Sequence, residues 1–294
     1  MLSTSVFNKK NIIFILLFTF GFSSLFAADL YVSKTGNDAN SGALGTPVLT
    51  INNAISKASA GDNIYIETGV YAESVVIHKS LKFYVDSCQV NKLIMYNSTA
   101  TLTIDGWNSI KSFNIYDSLV LTRGIVKVEN TLAAFRVLKT CGMSGGVSNS
   151  YVEGRMYVGK ESGIMDITFP IGVSSSYRPT RIKFVKTAGL TYYFAEIRAG
   201  KAASPGVLPS GIRNYSKVDY YNLGTVPLNA ANSSSFEVEL SYDSVQLDDR
   251  VYEGATLRVI GYEGSSNWVN YGGTGTGNRK GTILTTNSMS KLEL

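Results

Sequence analysis

Eight carboxylates lie between Asp62 and Glu153: Asp62, Glu67, Glu73, Asp86, Asp105, Asp117, Glu129 and Glu153. Two or three carboxylates about 5–10 Å apart can hydrolyse a glycosidic bond, one as acid and another as base or nucleophile. Carboxylates that hold calcium beside a basic residue can instead cleave a polyuronate by proton abstraction. The acids of this chain occur singly, most of them in expected turns, and no two share a strand face at i and i+2. Asp105 in "LTIDG" and Asp117 in "NIYDS" end strands, and neighbouring turns of a coil could project them together. Arg123 is the nearest candidate base, and Lys79, Lys82 and Lys127 could also meet an anionic sugar. Asp105, Asp117 and Arg123 are therefore the catalytic candidates. Each has a plain structural reading beside it: an Asp that caps a turn, or a cation that keeps a strand edge from pairing. His78 is the single histidine, and no nucleophile motif accompanies it, so a Ser-His-Asp triad has no support.

Binding chemistry is better represented than catalysis. Twelve of the 18 tyrosines lie from Tyr151 onward. Tyr192–Tyr193 and Tyr220–Tyr221 are adjacent pairs, so one member of each faces out of a sheet. An exposed ring can stack on the C–H face of a sugar; a strand-forming Tyr on a wet sheet face is the plain alternative. "SSNWVNYGGTGTG" places Trp268 and Tyr271 among flexible residues. The ligand-binding candidates are Trp268, Tyr271, Tyr193 and Tyr221. The loop "GNDANSG" offers oxygens from Asn37, Asp38 and Asn40 that could hold Ca2+, although an Asx-rich structural turn explains the same residues. No other cofactor is implied. Cys88 and Cys141 are the only cysteines; they are read either as a disulfide or as two buried thiols.

The elements that must position these residues are almost all strands. "NKK" followed by the uncharged run "NIIFILLFTFGFSSLFA" has the order of a secretory signal, with cleavage expected near Ala27. Its loss would remove Lys9 and Lys10 from a formal charge of +5. With no basic run left, nucleic acid is not an expected partner. The mature chain is expected to carry no transmembrane span, because no later run is apolar for long enough. In "TPVLTINNAISKASAGD", Thr50 is a plausible N-cap and Ile51, Ala54, Ile55 and Ala58 share a face, predicting a capping helix over 50–60 ended by Gly61. Short apolar clusters then recur: Ile64/Ile66, Val75/Ile77, Leu81/Phe83, Leu93/Met95, Leu102/Ile104, Phe113/Ile115, Leu119/Leu121 and Phe135/Val137. Short strands at close spacing with Gly, Asn and Ser between them predict an all-β coil or barrel. From about Met165 the strands lengthen and alternate. "SFEVELSYD" sets Phe236, Val238 and Leu240 against Glu237, Glu239 and Ser241. That pattern predicts a β-sandwich over 160–294, with a boundary near Gly154 to Ser162.

The stretch from Leu30 to Phe83 resembles the amino-terminal motif of right-handed parallel β-helix proteins, the pectin-lyase-like superfamily. Tyr31-Val32, Gly36-Asn37-Asp38, Ser41-Gly42, Thr50-Ile51, Gly61-Asp62, Ile64-Tyr65 and "VVIHKSL" carry it. The resemblance implies a short parallel β-helix over 29–155 and export; it does not by itself imply lyase activity. From Leu119 onward, "FPIG" at Phe169 to Gly172 and "YRP" at Tyr177 to Pro179 are similar to a module of type IX-secreted bacterial surface proteins. The sequence stops at "SKLEL" without the sorting domain of that route, which leaves the secretion route open and a truncated carboxy-terminus as an expectation.

These readings converge on an exported all-β protein: a short right-handed parallel β-helix with an N-terminal capping helix, followed by an antiparallel β-sandwich. The expected role is a cell-surface or secreted structural and adhesion module that meets extracellular polysaccharide or a surface protein. The alternative is a polysaccharide lyase or glycoside hydrolase. Clustered carboxylates on one β-helix face would favour the enzyme; exposed aromatics would favour binding.

Overall fold

The computed structural model describes residues 27–107, 111–129, 133–138, 141–200, 207–213, 216, 219–226, 235–243, 256–262, 268–278 and 280–289. Residues 1–26 of the expected export segment, 1–27, and the "SKLEL" end lie outside these.

The chain enters through β1 (Asp29–Val32) and α1 (Ile51–Lys57). It continues through β2 (Asn63–Ile66), β3 (Gly69–Ile77) and β4 (Leu81–Val85) into two long strands, β5 (Cys88–Gly106) and β6 (Lys111–Val128). β7 (Ala133–Val137), β8 (Gly142–Gly145), β9 (Val152–Glu153) and β10 (Met156–Lys160) follow. All the pairings among these strands are parallel and link each turn to the next. The result is a parallel β-helix of about five turns with three faces. β5 and β6 each contribute to all three faces, and breaks in their register mark the corners.

Strand alternation explains what lies inside. On the first face, Leu30, Ile64, Phe83, Ile104 and Val128 align rung over rung. On the second, Phe113 aligns with Phe135 and Val90 with Ile115 and Val137; on the third, Val75 aligns with Leu93, Leu119 and Met143. Phe83, Phe113 and Phe135 pack in a row through the interior with neighbouring centroids 6.2 Å apart, Phe113 stacked on Phe135 and Phe83 tilted against Phe113. Tight corners need glycine. Gly124 has φ +93°, and a Cβ there would sit 2.5 Å from the Asn97 carbonyl oxygen.

α1 is shorter than the predicted 50–60. Thr50 caps it as expected, its hydroxyl accepting from the Asn53 amide, but the helix closes at Ala58. Gly61, at φ +96°, belongs to the turn into β2 instead. Residues far along the chain complete the caps. The Glu73 carboxylate accepts from the amides of Ile51 and Asn52, and Lys79 Nζ donates to the carbonyls of Ile55 and Ala58. A carboxylate at the N-terminus and an ammonium at the C-terminus both match the helix dipole. Among the described residues no helix is long and apolar enough to cross a membrane.

The second half holds antiparallel sheets. Its strands are β11 (Gly163–Phe169), β12 (Ile171–Val173), β13 (Ser176–Tyr177), β14 (Thr180–Lys186), β15 (Thr191–Ala199), β16 (Asp219–Val226), β17 (Glu237–Asp243), β18 (Val259–Tyr262), β19 (Trp268–Gly272) and β20 (Lys280–Leu284). β11, β14, β17 and β20 form one four-stranded sheet. β15 and β16 do not join it. They extend the second face of the coil, because β15 pairs antiparallel with β10, which itself lies parallel to β7. The expected boundary near Gly154 to Ser162 therefore falls on a strand shared by both halves. Phe184 of β14 and Phe236 pack on Tyr193 of β15, joining the four-stranded sheet to the coil's sheet.

The cysteines form no disulfide: both are buried free thiols. Cys88 sits two rungs from the turn that holds Cys141, about 10 Å at the spacing of paired strands, beyond disulfide reach. Burial pushes the Cys88 thiol well above its ordinary range and the Cys141 thiol up to about 11.

Candidate functional site

The alternation that buries Leu30, Ile64, Phe83 and Ile104 turns Tyr31, Tyr65, Tyr84 and Asp105 outward in one column on the first face. Tyr31 and Tyr65 stack with centroids 4.9 Å apart and planes 13° apart; Tyr65 and Tyr84 stack at 4.7 Å and 10°. This is the strand spacing itself, so the sheet dictates the ladder. Trp107 crosses it edge-on, 5.2 Å from Tyr65 and 6.2 Å from Tyr31. All four rings are half-buried. The tyrosines cover one another's faces, so their edges and hydroxyls point outward beside the indole. Burial and the nearby Asp29 carboxylate raise the Tyr65 phenol above its ordinary pKa.

The ladder runs into charge. A parallel column on the same face holds Asp29, Asn63, Lys82, Thr103, Lys127 and Glu153. Lys82 Nζ lies 4.6 Å from the Tyr84 centroid, and it reaches Asp105 and Glu129 at 3.2 Å each. Lys127 meets Glu129 at 3.4 Å. Burial works against the Lys82 ammonium, but hydrogen bonds to Tyr84, Glu129 and Asp105 outweigh it and hold its pKa above the ordinary lysine value. Beside this cluster lies an open groove of about 550 Å³. Asp105, Lys127, Glu129 and Glu153 line it together with Val173, Ser174, Ile197 and Ala199. Ser174 and Ser175 adopt φ of 47° and 69°, a left-handed turn between β12 and β13 that non-glycine residues rarely make.

Of the catalytic candidates only Asp105 belongs to this site. Asp117 leaves the coil between the second and third faces, and Arg123 lies opposite Tyr96 between the third and first. The expected convergence of Asp105 with Asp117 does not occur, because the two end strands on different faces. Asp105 instead shares Lys82 with Glu129, one turn later in the chain. The signal for this was the interior repeat: Phe83, Ile104 and Val128 align at separations of 21 and 24 residues. Carrying that step from Asp105 leads to Glu129.

The adjacent-tyrosine rule holds, with the other member of each pair facing out. Tyr193 shares a face with Ala195 and Ile197 and is fully buried; Tyr192 shares the outer face with Glu196 and Arg198. Tyr221 points inward with Leu223, where its hydroxyl hydrogen-bonds the Ser241 carbonyl and Arg178 lies over its ring. Burial pushes its phenol up to about 12. Tyr271 is also buried, while Trp268 is half-buried on β19. The parity was legible: Glu196 and Arg198 mark the outer face of β15, and Asn222 marks that of β16.

The Asn37 and Asp38 oxygens of "GNDANSG" accept hydrogen bonds within the fold. Asp38 accepts from the amides of Leu49 and Thr50 and from the Thr50 hydroxyl; Asn37 accepts from the Ala39 amide. The Asn40 amide group donates to the Pro47 carbonyl. Among the described residues, no group of three or more His, Cys, Asp or Glu side chains is placed to hold a metal ion.

No protein-family model matches the chain, and searches of the curated proteins and of the solved structures find no match. What the chain does must therefore be argued from its own surface.

Proposed function

We propose that the chain is an exported surface or secreted module that adheres to extracellular polysaccharide through the first face of its β-helix. The observation that carries this reading is the Tyr31–Tyr65–Tyr84 ladder, crossed by Trp107 and continuous with the Lys82, Asp105 and Glu129 cluster. The parallel sheet sets the same ring at three successive rungs, Tyr31, Tyr65 and Tyr84, which suits a ligand that is itself a repeating polymer. The indole supplies an apolar plate for a sugar ring, and phenol hydroxyls and fixed ion pairs supply donors and acceptors beside it. In this reading α1 covers the amino-terminal end of the coil, where unpaired backbone would otherwise invite another strand. The antiparallel half acts as a β-sandwich spacer of the kind found in type IX-secreted surface proteins, and no cofactor is required.

A glycoside hydrolase is the second reading, and one observation favours it. Asp105 and Glu129 each touch Lys82, so their nearest oxygens are no more than twice 3.2 Å apart, a bound compatible with the separation of about 5–5.5 Å in retaining hydrolases. Against it, the ammonium between them occupies the oxygens that would have to reach a glycosidic bond or a water.

The test is to incubate the secreted form with a panel of insoluble polysaccharides, with and without calcium, recording retention and reducing-end release together. Retention without new ends supports adhesion. New reducing ends would replace it with the hydrolase reading, and Asp105→Asn and Glu129→Gln would then be the first variants. No retention on any polymer would remove the glycan reading.

A further inference from the structure

The charges around the open groove do not balance. Lys82 is shared by Asp105 and Glu129, and Lys127 turns to Glu129. Glu153 stands one rung beyond Lys127 in the same outward column. Among the described residues, no ion pair or side-chain hydrogen bond reaches its carboxylate. Glu153 is half-buried and lines the groove of about 550 Å³, so this carboxylate faces open space. The strand opposite adds no cation. Ile197 and Ala199 share the parity of Tyr193 on β15, and alternation puts Glu196 and Arg198 on its other side. There Glu196 takes both Arg155 and Arg198.

A ligand for this groove has three requirements. It must bring positive charge to Glu153 while Lys82 and Lys127 keep their own partners. It must meet the Ser174 hydroxyl with polar groups and Ile197 and Ala199 with C–H surface. It must also be continuous with what lies on the tyrosine ladder. Lys82, Thr103, Lys127 and Glu153 follow rung by rung, which sets Glu153 three rungs past Tyr84, about 14 Å along the same face. An anionic sugar would meet Asp105, Glu129 and Glu153 together and be repelled. A sugar carrying a protonated amine meets all three requirements.

We propose that the groove receives a protonated amino sugar at Glu153, which directs the module to amine-bearing polysaccharide. The assignment rests on the glycan-adhesion reading and names the class of glycan. The formal charge of the whole chain is +5, so its overall field opposes a polycation. A preference for one must therefore arise locally.

The experiment compares retention of the secreted protein on cross-linked chitosan beads and on the same beads after N-acetylation, at a mildly acid pH that protonates the sugar amines. Soluble glucosamine oligomers and polylysine serve as competitors. The variants are Glu153→Gln, Glu153→Asp and Asp166→Asn. The expected wild-type result is about tenfold tighter retention on the amine form, lost in Glu153→Gln. That variant should still match wild type on the N-acetylated beads, which shows that it is folded. Glu153→Asp keeps the charge on a shorter stem and should keep part of the preference. Asp166→Asn removes the same charge from β11, outside the groove, and should leave the preference intact. Raising the pH until the amines lose their protons should erase it. An equal preference in Glu153→Gln and wild type would overturn the proposal. So would an equal loss in Asp166→Asn, which would mean net charge alone. Competition by polylysine as strong as by glucosamine oligomers would overturn it in favour of a basic protein partner. Equal wild-type retention on the two bead forms, or retention on other polymers alone, would overturn this site and leave the adhesion reading standing. Retention on no polymer would overturn both.

Discussion

Replacing Lys82 by Gln removes one cation from between two carboxylates. Lys82 is 27% exposed, Asp105 18% and Glu129 38%, so solvent screens the pairs in part. Two such pairs contribute about 0.5 kcal/mol each, and the contact with the Tyr84 ring adds roughly another 0.5–1 kcal/mol. Gln also leaves Asp105 facing Glu129. At the separation set by Lys82 their repulsion is about 2–3 kcal/mol at an effective dielectric near 20, and well under 1 kcal/mol in water. Lys127 still neutralises part of Glu129, which argues for the lower figure. The expected loss is about 2 kcal/mol. Urea unfolding at neutral pH measures it, and Asp105→Asn in the same background should restore about 1 kcal/mol. The sign with pH follows from the raised lysine pKa. The contribution is fully present below the unfolded value near 10.4 and is lost only as pH rises through the higher folded value. A loss under about 0.3 kcal/mol, with no coupling to Asp105, would refute the ion-pair account of this face.

Glu73→Ala should remove two charge-assisted bonds to the first amides of α1 and cost about 1–2 kcal/mol; faster amide exchange confined to residues 51–58 would mark it. Asp86 bonds Lys111 and Thr68 across neighbouring turns, and the Lys111 bond holds its carboxyl below the ordinary carboxylate range. Its contribution is present above the unfolded value near 3.9 and lost as pH falls through the folded one. Asp86→Asn should therefore lower stability by about 1 kcal/mol at pH near 6 and match wild type in acid below the folded value; an equal gap at both pH values would exclude the linkage. Phe113→Ala empties the middle of the Phe83–Phe113–Phe135 row and should cost about 3–5 kcal/mol in urea unfolding. A loss below about 1 kcal/mol would mean the interior is not packed there.

Much of the coil was legible because its physics is local. Alternation in Leu30 to Val32, Ile64 to Ile66 and Leu81 to Val85 fixes which side chains turn inward, and Thr50 announces its helix by its hydroxyl. The site was less legible because it depends on register between turns. Corners of unequal length separate Asp105 from Glu129, and each inserted residue shifts which acid stands over which lysine. The helix end illustrates the same limit: Glu73 and Lys79 are ordinary charges in sequence, and only the next turn brings them to α1. Tyr193 and Tyr221 were misassigned for a different reason. Adjacent aromatic residues fit either face, and the deciding parity lies one to five residues further on, at Glu196, Arg198 and Asn222. The link between the halves was hidden because β10 pairs parallel on one edge and antiparallel on the other, a change of partner that its own residues do not encode.

The central claim is that polysaccharide lies along the first face, against Trp107. The sequence contains two tryptophans, so Trp268→Phe leaves Trp107 as the single indole reporter. Its fluorescence should be titrated with soluble oligosaccharides of the polymer that retains the protein. The account predicts a saturable change whose midpoint matches the binding constant and which weakens in Tyr84→Ala. Saturable binding by retention with an unchanged Trp107 signal would place the glycan elsewhere and contradict the account.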